Sequence, residues 1–144
     1  PRGSKIIDDT YNASTPSVLA ALNLLRELPA TRRIAVLGEM RELGTESENA
    51  HRMVGGRAGE LCDMLVTFGE LTDISIAAAK ESAGAQGRKL TVVRFGSDQR
   101  EELERFLQGE LTEGDMVLMK GARGLAMETI VHALRSEISG GITE

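Results

Sequence analysis

Apolar and polar positions along this chain fall into blocks of two alternating periods. Short apolar stretches occur at residues 6–7, 34–37, 64–68, 90–95 and 116–119, continuous at 34–37 and interrupted by Thr67 in the third and by Thr91 and Arg94 in the fourth. Between them, apolar residues recur every three or four positions. Examples are Val18, Leu22 and Leu25; Ala50, Val54, Ala58 and Leu61; and Met127, Ile130, Val131, Leu134 and Ile138. Unbroken apolar runs mark strands covered on both faces, and the longer period marks helices with one buried face. The pattern therefore predicts strand and helix alternating five times. Crossovers of that length, with right-handed connections, build a mostly parallel sheet of about five or six strands with helices on both faces, a three-layer α/β domain.

Local signals place the ends of these elements. Ser14 or Thr15 caps the first helix, Pro16 suits its first turn, and Pro29 stops it. The second helix is expected from about residue 46 to 61. It contains Gly55, Gly56 and Gly59, each weakening helix propensity by up to ~1 kcal/mol relative to Ala; on a buried face they allow close packing on the sheet. The third helix is expected over about 70–82, with Leu71, Ile74, Ala77 and Ala78 inward. The run at 90–95 is more polar than the others, which puts that strand nearer an edge. Gly96-Ser97-Asp98 is expected to cap the helix carrying Leu103, Phe106 and Leu107, and Gly114-Asp115 turns into the fifth strand. The domain is expected over 5–139, with 140–144 as a frayed tail. Pro1-Arg2-Gly3-Ser4 reads either as a cleaved-tag remnant or as native sequence. A start almost directly on a strand, without an initiator methionine, suggests a domain cut from a longer protein.

Composition narrows the class. The 144 residues suit one domain with a real core, and 41% hydrophobic with 27% charged residues is ordinary for a soluble protein. The net charge is −5. Lys and Arg are dispersed, which argues against nucleic acid as the main partner but leaves room for a local phosphate pocket. Cys62 is the single cysteine, so no intramolecular disulfide can form, and a reducing cytoplasm fits. No apolar run approaches the ~20 residues of a membrane span, and no secretory signal opens the chain.

Chemistry gathers at the predicted strand ends. Three segments there are unusually polar: Asp8-Asp9-Thr10-Tyr11-Asn12-Ala13-Ser14, Gly38-Glu39-Met40-Arg41-Glu42-Leu43-Gly44, and Lys120-Gly121-Ala122-Arg123-Gly124. Loops leaving parallel strands line one edge of the sheet, where such folds hold ligands. Lys120 and Arg123 flank small residues, so backbone N–H groups there can approach a phosphate or carboxylate, helped by about half a positive charge from the next helix N-terminus. The alternative is a solvated turn. Asp9 suits ribose hydroxyls or a helix cap. Tyr11, the only tyrosine, suits stacking on a base or packing on the neighbouring helix. Asn12 suits a ligand or a turn. A Gly-x-x-x-x-Gly-Lys-Ser/Thr loop and a Gly-x-Gly-x-x-Gly after the first strand are both absent. That disfavours an autonomous nucleotide hydrolase or a nicotinamide dehydrogenase. His51 and His132, the only histidines, lie too far apart in sequence to suggest zinc. His51 reads as a helix-packing residue, and Cys62 as core.

Taken together, in this order and at these spacings, the three loops resemble the C-terminal domain of a Mur ligase. That family reads Asp-Asp-Ser/Thr-Tyr-Asn-Ala-Asn-Pro at the first loop, Val-Leu-Gly-Asp-Met-x-Glu-Leu-Gly followed by a histidine at the second, and Lys-Gly-Ser-Arg-Gly…Met-Glu at the third. Here these are residues 8–15, residues 36–44 with His51, and residues 120–124 with Met127-Glu128. The resemblance implies a Rossmann-like domain of a bacterial cytoplasmic ligase of peptidoglycan precursor synthesis. Such a ligase uses ATP and Mg2+ to join an amino-acid substrate to a UDP-linked muramoyl peptide. The closest pattern is that of the member joining D-Ala-D-Ala to UDP-N-acetylmuramoyl-tripeptide. It implies Asp9, Tyr11 and Asn12 on the ATP side, and Lys120, Arg123 and Glu42 on the substrate side. No catalytic residue and no metal ligand are expected within this fragment. The P-loop and Mg2+ ligands belong to a central domain over which this one closes, so the fragment is expected to be inactive alone. Ser14 and Thr15 stand where the family has Asn and Pro, Glu39 where it has Asp, and Ala122 where it often has Ser. Competing readings are a Mur-type ligase for a single amino acid, a free-standing module binding a small anion, and a flavodoxin-like sheet with no ligand.

Overall fold

The computed structural model describes residues 4–9, 14–38, 40, 46–70 and 72–120. Within them the order is β1 (Lys5–Asp9), α1 (Thr15–Glu27), β2 (Arg32–Gly38), α2 (Ser47–Leu61), β3 (Met64–Phe68), α3 (Asp73–Ala85), β4 (Thr91–Phe95), α4 (Arg100–Glu110) and β5 (Asp115–Lys120). The five strands form one sheet in the order β1-β5-β2-β3-β4, and every neighbouring pair is parallel. The expected α/β architecture is therefore present. The expected final helix, with Met127 through Ile138, lies outside the described residues.

The connections explain the layers. From β1 to β4 the chain moves across the sheet in one direction, so right-handed crossovers put α1, α2 and α3 on one face. From β4 to β5 it moves back, which sends α4 to the other. Strand alternation then sorts the apolar side chains. Ala35, Leu37, Leu65 and Leu118 join Leu22, Leu25, Val54 and Ala58 in one cluster. Ile34, Val36, Val66 and Val117 join Leu103 and Leu107 in the other.

Several ends fall where the residue chemistry puts them. Ser14 is the N-cap of α1, its hydroxyl accepting from the Ser17 N–H at 3.3 Å, and α1 ends at Leu28, ahead of Pro29. Gly114 holds φ at +93°, a conformation that favours glycine, and its carbonyl accepts from the Thr31 N–H at 2.8 Å. The turn feeds β5 into the middle of the sheet. β4 is an edge strand, as its polarity implies.

Three details differ from the sequence reading. First, α3 begins at Asp73 and buries Ser75, Ala79 and Ala83, whereas Ala77 is exposed and Ile74 and Ala78 are only partly covered; Leu71 lies outside the described residues. Second, the glycines of α2 meet α3 and not the sheet. A Cβ at Gly55 would lie 2.1 Å from the Ser75 carbonyl oxygen, and one at Gly59 would lie 2.2 Å from that of Ala79. The two differences have one cause. Helices this close admit only small residues along the seam, so the face of α3 is chosen by size and not by hydrophobicity. Third, the N-cap position of α4 is held by Gln99, without a side-chain capping bond, and not by the 96–98 segment. The Gln99 side chain accepts from the Gly96 N–H at 2.7 Å, closing the preceding turn. Glu101 and Glu102 in the first turn complement the helix dipole.

Candidate functional site

All five strands are parallel, so all finish at one edge. Asp9 at the end of β1 is in register with Lys120 at the end of β5, and Lys120 with Leu37, one residue before the end of β2. Neighbouring strands lie about 4.8 Å apart, so the roots of the three polar segments fall within about 10 Å of one another. Sequence order alone separates them by scores of residues. The insertion of β5 between β1 and β2 brings them together. Of the six proposed ligand residues, Asp9 and Lys120 are at these roots. Tyr11, Asn12, Glu42 and Arg123 lie outside the described residues, as does the side chain of Asp9.

The rest of the edge is closed on itself. Beyond β3, Glu70 accepts from the Ser97 N–H at 2.8 Å and from the Ser97 hydroxyl at 2.9 Å. These bonds hold its carboxyl below the usual range. Arg94 of β4 bonds Asp73 at 2.8 Å and pairs with Glu70 at 3.8 Å. The Gly69 N–H donates to the Phe95 carbonyl at 2.9 Å. Glu70, Asp73 and Arg94 thus satisfy one another around the ends of β3 and β4, and the three polar segments singled out in the sequence belong to β1, β5 and β2.

Beneath that half lies a layer that links the loop roots. Lys120 is only 2% exposed, which removes the reading of it as a solvated surface cation. Strand parity explains the burial: Lys120 follows Met116 and Leu118 onto the face covered by α1 and α2. Its side chain borders a void of about 10 Å³ together with Val18, Gly38, Met40, His51 and Thr67. That is room for about one water molecule.

His51 of α2 stands in the same layer and is 2% exposed. Its Nε2 lies 3.1 Å from the Met40 backbone nitrogen, and its Nδ1 lies 2.7 Å from the Ser47 carbonyl oxygen. A backbone N–H only donates and a carbonyl only accepts, so the proton sits on Nδ1 and Nε2 accepts. The packing role expected for His51 is present, but it is directed at the β2–α2 connection. The sequence hint was the histidine four residues after Ser47, one turn into the helix. Met40, itself buried, also receives the Thr15 hydroxyl of α1 at 3.9 Å from its sulfur.

The opposite edge carries structural charges. Arg32 binds both Asp115 oxygens, at 2.9 and 2.7 Å, and Glu110 at 2.7 Å. Arg33 donates to the Leu25, Arg26 and Leu28 carbonyls at the end of α1, and Arg88 donates to the Gly59 and Cys62 carbonyls at the end of α2. These guanidiniums satisfy helix ends that otherwise lack donors. Among the described residues no three His, Cys, Asp or Glu side chains come together as a metal site, and no helix is long and apolar enough to cross a membrane.

Comparison with known proteins bears on the family and the fold. The family described as "Mur ligase, glutamate ligase domain" matches residues 1–123. The UDP-N-acetylmuramoyl-tripeptide–D-alanyl-D-alanine ligase of Treponema pallidum is 35% identical over 130 residues, covering 90% of this chain and 27% of that protein. The enzyme of that name from Bacillus subtilis is 32% identical over 134 residues, covering 92% and 28%. Among solved structures, the MurF ligase from Thermotoga maritima in complex with ADP superposes with a TM-score of 0.71 at 27% identity, covering 94% of this chain and 29% of that one. MurF from Acinetobacter baumannii gives 0.69 at 27% identity, covering 90% and 27%. The chain spans little more than a quarter of the length of these relatives.

Proposed function

From the premise that the chain belongs to the Mur ligase family, we propose that it is the C-terminal domain of a bacterial cytoplasmic ligase joining D-Ala-D-Ala to UDP-N-acetylmuramoyl-tripeptide at the expense of ATP. The observation that carries this reading is the register of Asp9 with Lys120 and of Lys120 with Leu37. It gathers the polar segments of β1, β5 and β2 into one wall of a cleft. The other wall is a central domain, supplied by the part of the relatives that this chain does not span. The domain extends over about residues 5–139.

In this reading the ATP γ-phosphate passes to the terminal carboxylate of the muramoyl tripeptide, giving an acyl phosphate and ADP. The amine of D-Ala-D-Ala attacks the acyl carbon, the C–N bond forms, and inorganic phosphate leaves. The domain's share is binding and orientation, which such a reaction depends on heavily. Asp9 meets the ribose hydroxyls, Tyr11 and Asn12 complete the nucleotide side, and Glu42, Lys120 and Arg123 serve the dipeptide side. Lys120 acts from beneath the loops, because its side chain is buried. Mg2+ accompanies the nucleotide when bound. Its ligands are assigned to the central domain, as the family resemblance implies.

The relatives' names favour the dipeptide over glutamate as the incoming substrate, while the family description mentions glutamate. Both amines therefore belong in the assay. The test uses the full-length ligase, native and Asp9→Asn. A charged hydrogen bond contributes about 1.5–3 kcal/mol, so Asp9→Asn is expected to raise the KM for ATP roughly 10- to 100-fold. An unchanged KM removes Asp9 from the site. The 144-residue chain alone is expected to release no phosphate from ATP with both peptide substrates present. Turnover by the fragment refutes the division of labour.

A further inference from the structure

We propose that His51 is the positioning residue of the second polar loop: it holds Met40, and so fixes the point at which the chain leaves β2 on its way to the dipeptide side. The proposal rests on the ligase reading for its functional half. Its structural half stands on geometry alone. The β2 ladder ends at Gly38, so Met40 is two residues beyond the last strand pairing. Its N–H is buried and turns to the His51 Nε2 at 3.1 Å. A buried backbone donor without a partner is strongly disfavoured, so the imidazole acceptor selects this path for the chain.

The anchor is itself held from three sides. Nδ1 donates to the Ser47 carbonyl at 2.7 Å, which orients the ring and leaves the lone pair of Nε2 facing Met40. The His51 carbonyl accepts from the Ser75 hydroxyl of α3 at 2.8 Å. One turn further along α2, Gly55 and then Gly59 seat the helix against the backbone of α3. The Met40 side chain meets Thr15 of α1. His51 thus ties the exit of β2 to a helix pair with little freedom to shift. The same bonds exclude His51 as a general base: both nitrogens are engaged and the ring is closed to solvent.

Two substitutions separate the two nitrogens. In His51→Gln the amide oxygen reaches the place of Nε2 and can still accept from Met40. In His51→Asn the amide reaches only the place of Nδ1, so Ser47 keeps its partner and Met40 loses one. Hydrogen exchange of the Met40 amide in the 144-residue chain is expected to be slow in the native protein and in His51→Gln. In His51→Asn it is expected to be at least tenfold faster. In the full-length ligase, His51→Asn is expected to raise the KM for D-Ala-D-Ala at least tenfold while the KM for ATP moves less than twofold, and His51→Gln to recover the dipeptide KM to within about threefold. A Met40 amide that exchanges rapidly in the native chain, or at the same rate in native and His51→Asn, overturns the anchor. If exchange responds as expected but both KM values stay unchanged, the positioning role falls. A native full-length enzyme that joins no dipeptide overturns the ligase reading, and the exchange pattern still decides the anchor.

Discussion

Replacing Gly59 by alanine sets two effects of opposite sign against each other. Alanine is the better helix former by up to ~1 kcal/mol, so propensity alone makes the variant more stable. The seam with α3 opposes it. The new methyl would sit 2.2 Å from the Ala79 carbonyl oxygen and 2.8 Å from its Cα, where ordinary contact begins near 3.4 Å. The obstacle is backbone, which cannot rotate aside. The helices must part by about 1 Å, and packing along the seam is lost with them. Overpacking of this kind costs about 1–3 kcal/mol, and a backbone obstacle puts the cost at the upper end. The net expectation is a loss of about 1–2 kcal/mol, or a fall in Tm of roughly 3–7 °C at this chain length. Gly55→Ala behaves alike, since its methyl would meet the Ser75 carbonyl oxygen at 2.1 Å. The double variant loses less than the sum, because one separation accommodates both methyls. Gly84 and Gly109 are internal controls: both are helical, and nothing lies within 4 Å of an added Cβ. There alanine is expected to raise stability by up to ~1 kcal/mol. Thermal melts and urea titrations of the four variants read the contrast directly. Gly59→Ala melting at or above Gly84→Ala refutes the seam.

Asp115 links the amino edge to pH. Burial opposes its charge, but the two bonds from Arg32 and the Thr112 N–H outweigh it and hold its carboxyl below the usual range. A carboxylate with a depressed folded value stabilises fully above the unfolded value of about 3.9 and loses that contribution as pH falls through the folded value. Asp115→Asn is therefore expected to cost about 2–3 kcal/mol at pH 7, with the gap to the native chain narrowing below about pH 4; urea midpoints between pH 2 and 7 check both, and a gap independent of pH sinks the assignment. Cys62 is fully buried, and burial pushes its thiol up to about 12. A thiol reagent at pH 8 is expected to leave the native chain unlabelled and to label the urea-unfolded chain stoichiometrically; rapid native labelling contradicts the burial.

The strands were legible because their signal is local. A run such as Met64–Phe68 is apolar at four of five positions, and all five are buried. The inward face of α3 was not legible, because hydrophobicity ranks Ile74 above Ser75 while the seam ranks them by size. Nothing within α3 reveals that its partner presents glycine. The burial of Lys120 was not legible for a related reason. At the start of a polar segment it looks solvated, yet it is still the sixth residue of a strand, and parity with Leu118 carries it inward. Which loops would meet was open as well. The sequence names five strands, but placing β5 between β1 and β2 depends on non-local pairing that no single segment encodes.

That placement also gives the edge its charge order. Asp8 and Asp9 stand at the end of β1, Lys120 at the end of β5, and Glu39 directly after the end of β2. Read across three adjacent strands, the order is acidic, basic, acidic. Had β5 joined the far side of β4, the two acidic segments would be neighbours. Their repulsion would then oppose any anionic substrate, and the cations would stand beside the closed Glu70–Ser97 network. With β5 in the middle, the cationic segment is flanked on both sides. In the proposed function, phosphate or carboxylate oxygens meet the positive charge of this segment, while hydroxyls and an amine meet the acids on either hand. A reaction that brings a nucleotide, an acyl phosphate and an amino-acid amine into one cleft has that mixture of needs. A site for a lone anion has no use for the two acidic flanks, so this charge order favours the proposed ligase function over the anion-binding module.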